Sequence, residues 1–187
     1  MTGTRATKKK SDLISQILAI ELQWFLTVNP QITSECQQNP EAFNLMRGSS
    51  FETWSEKTLA LYLEHLVDSR DKERNLVRGK YAKIQGLIPC VNESPALVKS
   101  VEIEEGWYRE TAGKYPNIIR DEAGPMFVMY LKCELDTYSQ QVLEAYYKDR
   151  ARAKAEGRNL AIETYDNIAR KLGYSSVEDM NQNQDRR

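Results

Sequence analysis

The chain carries nearly the same pattern twice, and that repetition limits its fold more than any other feature. Residues 51–66 read FETWSEKTLALYLEHL and residues 135–150 read LDTYSQQVLEAYYKDR. A displacement of 84 positions pairs Phe43 with Phe127, Thr53 with Thr137, Ser55 with Ser139, Leu59 with Leu143 and Tyr62 with Tyr146. The match continues through Arg74-Asn75-Leu76 with Arg158-Asn159-Leu160, Tyr81 with Tyr165 and Ile84 with Ile168, about ten identities in roughly forty pairs. Upstream, Glu21 pairs with Glu104 and Trp24 with Trp107 at a displacement of 83, the one-residue slip a loop deletion leaves. Self-similarity on this scale predicts a duplicated structural unit that cannot bury its apolar face alone.

Within each copy the lettering is helical. Leu59, Tyr62, Leu63 and Leu66 recur at i, i+3, i+4 and i+7, as do Leu143, Tyr146 and Tyr147. Thr53-Trp54-Ser55-Glu56 and Thr137-Tyr138-Ser139-Gln140 fit a capping box at a helix start. Asn75 and Asn159 suit N-caps, and Gly157 suits the left-handed residue that ends the preceding helix. Glu73 stands where Gly157 does, which predicts a different ending in the first copy. Pro30, Pro40, Pro95, Pro116 and Pro125 fall at boundaries.

The spacing predicts helices near 10–28, 40–50, 54–72, 75–86, 95–112, 125–134, 138–156, 159–172 and 176–182, with no alternating strand. The fold class is all-α. It is read as one domain over 11–174, built of two multi-helix repeats (about 11–90 and 95–174) related by a pseudo-two-fold axis. A disordered tail is expected at 1–10, and a short helix and tail at 175–187.

At 187 residues such a domain buries roughly 70% of its unfolded surface and needs no disulfide. With 26 basic and 27 acidic residues the net charge is −1, which argues against a nucleic-acid partner; the TKKK run at 7–10 reads as a solvated tail. Cys36, Cys90 and Cys133 are odd in number and form no CxxC, so all three read as thiols of a reducing, cytoplasmic compartment. No apolar run reaches the length of a membrane span, so no membrane partner is expected.

The residues that break the apolar pattern carry the functional information, because a buried charge costs several kcal/mol unless paired or ligated. Glu21 interrupts the stripe of Ile14, Ile17, Leu18, Phe25 and Val28, and Glu104 falls on the stripe of Leu97, Val101 and Tyr108. Arg47 shares a face with Phe43 and Met46, and Glu134 with Phe127, Tyr130 and Leu131. Three inward carboxylates and one guanidinium are the result, with Trp24, Trp107, Tyr62, Tyr146, Tyr81 and Tyr165 as aromatic walls. An excess of buried negative charge calls for a cation or a proton. The single histidine, His65, and the lack of Glu-x-x-His argue against a di-iron centre, so no metal ligands are assigned and the cofactor is left open. No P-loop, GxGxxG, GxSxG or HExxH is present. Cys36, just before the helix opening at Asn39-Pro40, is a candidate thiolate.

Taken together, Trp24, SECQQNPEAFNLMRGSSFETW (34–54), RNLVRGKYAKI (74–84), LKCELDTYS (131–139) and GRNLAIETYDNIARKLGY (157–174) resemble the bacterial DUF4125 proteins. The resemblance runs from about residue 13 to 174. It implies a helical single domain and marks Cys36, Arg47, Trp54, Asn75 and Glu134 as family-like positions, but supplies no activity. Relative to that family, Gln38 and Asn39 replace acidic residues and Glu73 replaces a glycine.

The expected function is that of a small helical enzyme acting on a small polar metabolite or a peptide side chain. Glu21 and Glu104 would serve as acid and base, Glu134 would orient the ligand, and Arg47 would anchor a substrate carboxylate, with Trp24, Trp107, Tyr62 and Tyr146 around it. The alternative is a non-catalytic binding or adaptor domain that recognises a partner protein. A homodimer is also open.

Overall fold

In the computed structural model, which describes residues 2–28 and 39–184, every regular element among the described residues is helical. Pro30, Cys36 and Gln38 lie outside the described residues. The helices are α1 (Thr2–Thr27), α2 (Pro40–Phe51), α3 (Glu56–Asp71), α4 (Leu76–Ile84), α5 (Pro95–Lys114), α6 (Gly124–Leu135), α7 (Gln140–Ala155), α8 (Leu160–Lys171) and α9 (Val177–Gln184). One 3-10 turn, Asp121–Ala123, precedes α6. None of them is long and apolar enough to cross a membrane.

Side chains fix where these helices begin. Ser55 and Ser139 accept from the amides of Thr58 and Val142, and Ser94 accepts from Leu97. The threonines expected to open α3 and α7 act differently. Thr53 and Thr137 donate backward, to the carbonyls of Ser50 and Glu134, and so close the helices before. A hydroxyl two residues ahead of the N-cap serine lies nearer to the orphan carbonyls of the preceding helix than to the amides of the next.

Asn75 and Asn159 cap α4 and α8 as expected, and each also reaches across to an earlier helix. Their Nδ2 groups donate to the carbonyls of Trp24 and Trp107, both at 3.3 Å. The caps therefore fix helix start and helix packing together.

Two expectations about helix ends fail. The α3 ending matches the α7 ending, because Glu73 takes φ +56° just as Gly157 takes +70°. Arg74 N donates to Ser69 O as Arg158 N does to Ala153 O, so both ends are Schellman motifs. A side chain in that conformation is strained by roughly 1–2 kcal/mol. Glu73→Gly is expected to raise stability by about 0.5–1 kcal/mol, part of the relief being offset by the freer unfolded chain. Urea titration measures it. At the other end, α1 begins at Thr2, inside the stretch expected as a tail. Lys10 Nζ donates to the Glu52 carbonyl at 2.7 Å, at the negative end of the α2 dipole.

Helix α1 packs on α2, α3 and α4, and α5 packs on α6, α7 and α8. The two groups meet where α3 lies on α7, α4 on α6 and α2 on α8. The main core fills that seam. Leu59, Leu66 and Leu143 are fully buried there, beside Ile17, Phe51, Trp54, Tyr62, Tyr138 and Tyr146. Each such aliphatic side chain contributes about 1.5–3 kcal/mol by leaving water. A hydrogen bond from Ser55 N to Asp149 Oδ2, 2.9 Å, ties the two groups at the rim.

Candidate functional site

The inward charges gather where α2, α4 and α6 approach one another. Glu21, 2% exposed on α1, accepts from Arg47 Nε at 2.9 Å and from Arg47 Nη2 at 2.6 Å, a bidentate fork. Tyr62 adds its hydroxyl at 2.6 Å. Arg47 Nη1 lies 2.9 Å from Glu134 Oε1, which also accepts from Tyr138 at 2.8 Å. Lys80 Nζ donates to Glu134 Oε2 at 2.5 Å. Both oxygens of Glu21 and both of Glu134 are thereby engaged, and so are all three nitrogens of Arg47.

Glu104 stands in separate surroundings. Its Oε1 accepts from Tyr146 at 2.7 Å and from Arg150 Nε at 2.8 Å, while its Oε2 has no hydrogen-bond partner among the described residues. Arg150 is 2% exposed, with its guanidinium 3.4 Å from the Tyr146 ring centroid and 5.1 Å from that of Trp54. Arg150 Nη1 and Trp54 Nε1 are both buried without a hydrogen-bond partner among the described residues. An orphaned buried donor costs about 1–3 kcal/mol.

Two cavities adjoin these groups. The first, about 400 Å³, has Glu21, Arg47, Tyr62, Lys80 and Glu134 at its polar end and Phe25, Phe43, Met46, Leu76, Val77, Tyr81 and Tyr130 among its walls. The second, about 250 Å³, is lined by Trp54, Glu104, Tyr146 and Arg150, with the hydroxyl residues Ser50, Thr53 and Thr164. Arg47, Lys80, Tyr130 and Glu134 face both and form the wall between them.

Against the sequence-based expectations, Tyr62, Tyr146, Arg47 and Glu134 do line cavities. Glu21 and Glu104 do not share one: each is held by its own tyrosine and its own arginine. Trp24 and Trp107 wall neither, because their indoles belong to the main core and to a smaller one with Ile103, Ala153 and Leu160. Nor is the charge unbalanced. Lys80 and Arg150 complete three cations against three carboxylates, which removes the argument for an added cation.

Arg150 left a signal in the sequence, since it lies seven residues after Leu143 and four after Tyr146 on the α7 stripe. Trp54 Nε1 left none. His65, the single histidine, is half-buried with Nε2 3.0 Å from the Thr137 carbonyl oxygen.

Burial opposes the charged form of Glu134, but Arg47 and Lys80 outweigh it and hold the carboxyl well below the usual carboxylate range. Burial and the neighbouring carboxylates push Tyr62, Tyr138 and Tyr146 well above the ordinary tyrosine value, so all three stay protonated donors. For Glu134 the folded-state value lies below the unfolded one. Its stabilisation is present above the ordinary carboxylate range and is lost as pH falls below about 4 toward the folded value. Urea midpoints measured from pH 7 downward are expected to fall over that acid range, and the fall is expected to be shallower in Glu134→Gln.

A match to the family described as "Protein of unknown function (DUF4125)" spans residues 11–182. No curated protein and no solved structure matches the chain.

Proposed function

The chain belongs to the DUF4125 family, which brings no known activity, and we propose from its own geometry that it binds a small polar molecule in the cavity of Glu104, Arg150 and Trp54. One observation carries this reading: a carboxylate with an oxygen that no described residue engages lines the same cavity as two buried N–H donors that no described residue satisfies. A ligand that accepts from Arg150 Nη1 and Trp54 Nε1 while donating to Glu104 completes all three. A carboxamide, free or on a peptide side chain, has that pattern. At about 250 Å³ the space lies below the roughly 300–1,000 Å³ typical of drug-sized ligands, so the occupant is small.

On this reading the protein is an enzyme in which Glu104 takes up or returns a proton. Arg150 and Trp54 stabilise charge that develops on the neighbouring oxygen. Glu21 and Arg47 become positioning residues, closed on one another, and the anchoring role passes from Arg47 to Arg150. Glu134 orients Arg47 and Lys80 rather than the ligand. We place the protein in the cytoplasm.

We further read the two helix groups as copies of one unit about a pseudo-two-fold axis. Supporting this, α1 with α2–α4 and α5 with α6–α8 pack in the same pattern, and Tyr62–Glu21 and Asn75–Trp24 have counterparts in Tyr146–Glu104 and Asn159–Trp107.

Trp54→Phe tests the ligand reading, because it removes one N–H and keeps the ring. Acetamide, glutamine and acetate are the probes, and binding is read from the rise in thermal midpoint. Loss of one hydrogen bond is expected to weaken carboxamide binding about tenfold, with little change in the free protein's midpoint. Absence of any stabilisation by the three probes in the wild type would count against it.

A second reading, a binding module for a partner protein or a second copy, is favoured by the exposure of Leu87, Val91 and Met126, at 72%, 72% and 61%. Native mass spectrometry of freshly purified protein separates the two, as a retained small molecule or a retained chain.

A further inference from the structure

Away from the two cavities, the connector between α4 and α5 (85–94) lies along α6 and brings two cysteines together. Cys90 Sγ is 3.2 Å from Cys133 Sγ, and both are free thiols. The approach is built by groups on either side. Lys83, at the end of α4, donates to the Pro89 carbonyl at 3.0 Å and pairs with Asp136. Asp136 Oδ1 accepts from Asn92 N at 2.6 Å. The chain is thus pinned on both flanks of Cys90, directly over Cys133. A disulfide needs sulfurs about 2.05 Å apart, so closure requires a movement on the order of 1 Å.

We propose that Cys90 and Cys133 are a modification site, a dithiol that closes reversibly to a disulfide and staples the α4–α5 connector to α6. The oxidant class is a small-molecule disulfide such as glutathione disulfide. Cys90 is half-buried and Cys133 is 4% exposed, so Cys90 meets the oxidant first. Its thiolate attacks one sulfur of the oxidant, that S–S bond breaks, and one glutathione thiolate leaves. The Cys133 sulfur attacks Cys90 Sγ, the Cys90–glutathione S–S bond breaks, and the Cys133 proton passes to the second glutathione thiolate as it leaves. Two protein thiols lose two electrons, and one glutathione disulfide becomes two glutathiones. Burial, reinforced by the contact with Cys90, pushes the Cys133 thiol up to about 11, so it stands as a protonated thiol while Cys90 takes up the oxidant. Cys133 stands on α6, the helix that also carries Tyr130 and Glu134 of the wall that both cavities share.

The test uses the full chain carrying Cys36→Ser, so that only this pair can react. After incubation with glutathione disulfide, the intact mass under denaturing, non-reducing conditions is expected to fall by two hydrogens. A non-reducing digest is expected to join the Cys90 and Cys133 peptides, and dithiothreitol is expected to separate them. Adding Cys133→Ala should trap the intermediate, with one glutathione held on Cys90. A glutathione that persists on Cys90 while Cys133 is present would overturn the proposal. So would an unreactive Cys90 in the Cys133→Ala protein.

Discussion

Glu21→Ala is expected to lower stability by about 3–5 kcal/mol, the usual cost of breaking a buried ion pair from one side. For a domain of this size that corresponds to roughly 6–20 °C in thermal midpoint. The cost arises from what remains. Among the described residues Arg47 keeps one ion partner, Glu134, and the Tyr62 hydroxyl, buried in the core, loses its acceptor. A double-mutant cycle separates this from simple loss of packing. With Arg47→Met added, the guanidinium is gone as well, and part of the loss is expected to return. Additive losses would mean that the pair contributes through volume alone. Differential scanning calorimetry of the four proteins reads the result.

Arg150→Met is expected to do two things at once. Stability should fall by about 3 kcal/mol, at the lower end for a broken buried pair, because Glu104 keeps Tyr146 and some contact with water. Carboxamide binding should be lost outright, since the variant removes the orphaned donor and leaves Glu104 without its cation. Methionine retains much of the apolar contact with Trp54 and Tyr146, so the binding loss is not explained by a collapsed cavity. Titration calorimetry beside the thermal midpoint distinguishes the two effects. Undiminished binding in a destabilised protein would remove Arg150 from the site.

The helix boundaries were almost all legible in advance, because periodicity and caps are local properties. The inward direction of Glu21, Arg47, Glu104 and Glu134 was legible for the same reason. Which charge faces which was not. Arg47 on α2 holds Glu21 and Arg150 on α7 holds Glu104, whereas the 84-residue displacement pairs Arg47 with Leu131 and Arg150 with Leu66. A comparison of the halves position by position therefore hides the pairing it should expose. Lys80 left even less trace, because its partner Glu134 is 54 residues away. The left-handed Glu73 misled in another way: hydrogen bonds at the helix end kept a conformation that the side chain disfavours.

The seam between α3 and α7 also sets a timetable. Leu59 and Leu143 bury against a shared core although 84 residues separate them, so the first half holds an unfinished apolar face while the ribosome is still at work. At about 5–20 residues per second, that face waits roughly 4–17 s for its cover. Until α7 emerges, α1–α4 are a natural client for a chaperone, and newly made protein is most exposed to aggregation in those seconds.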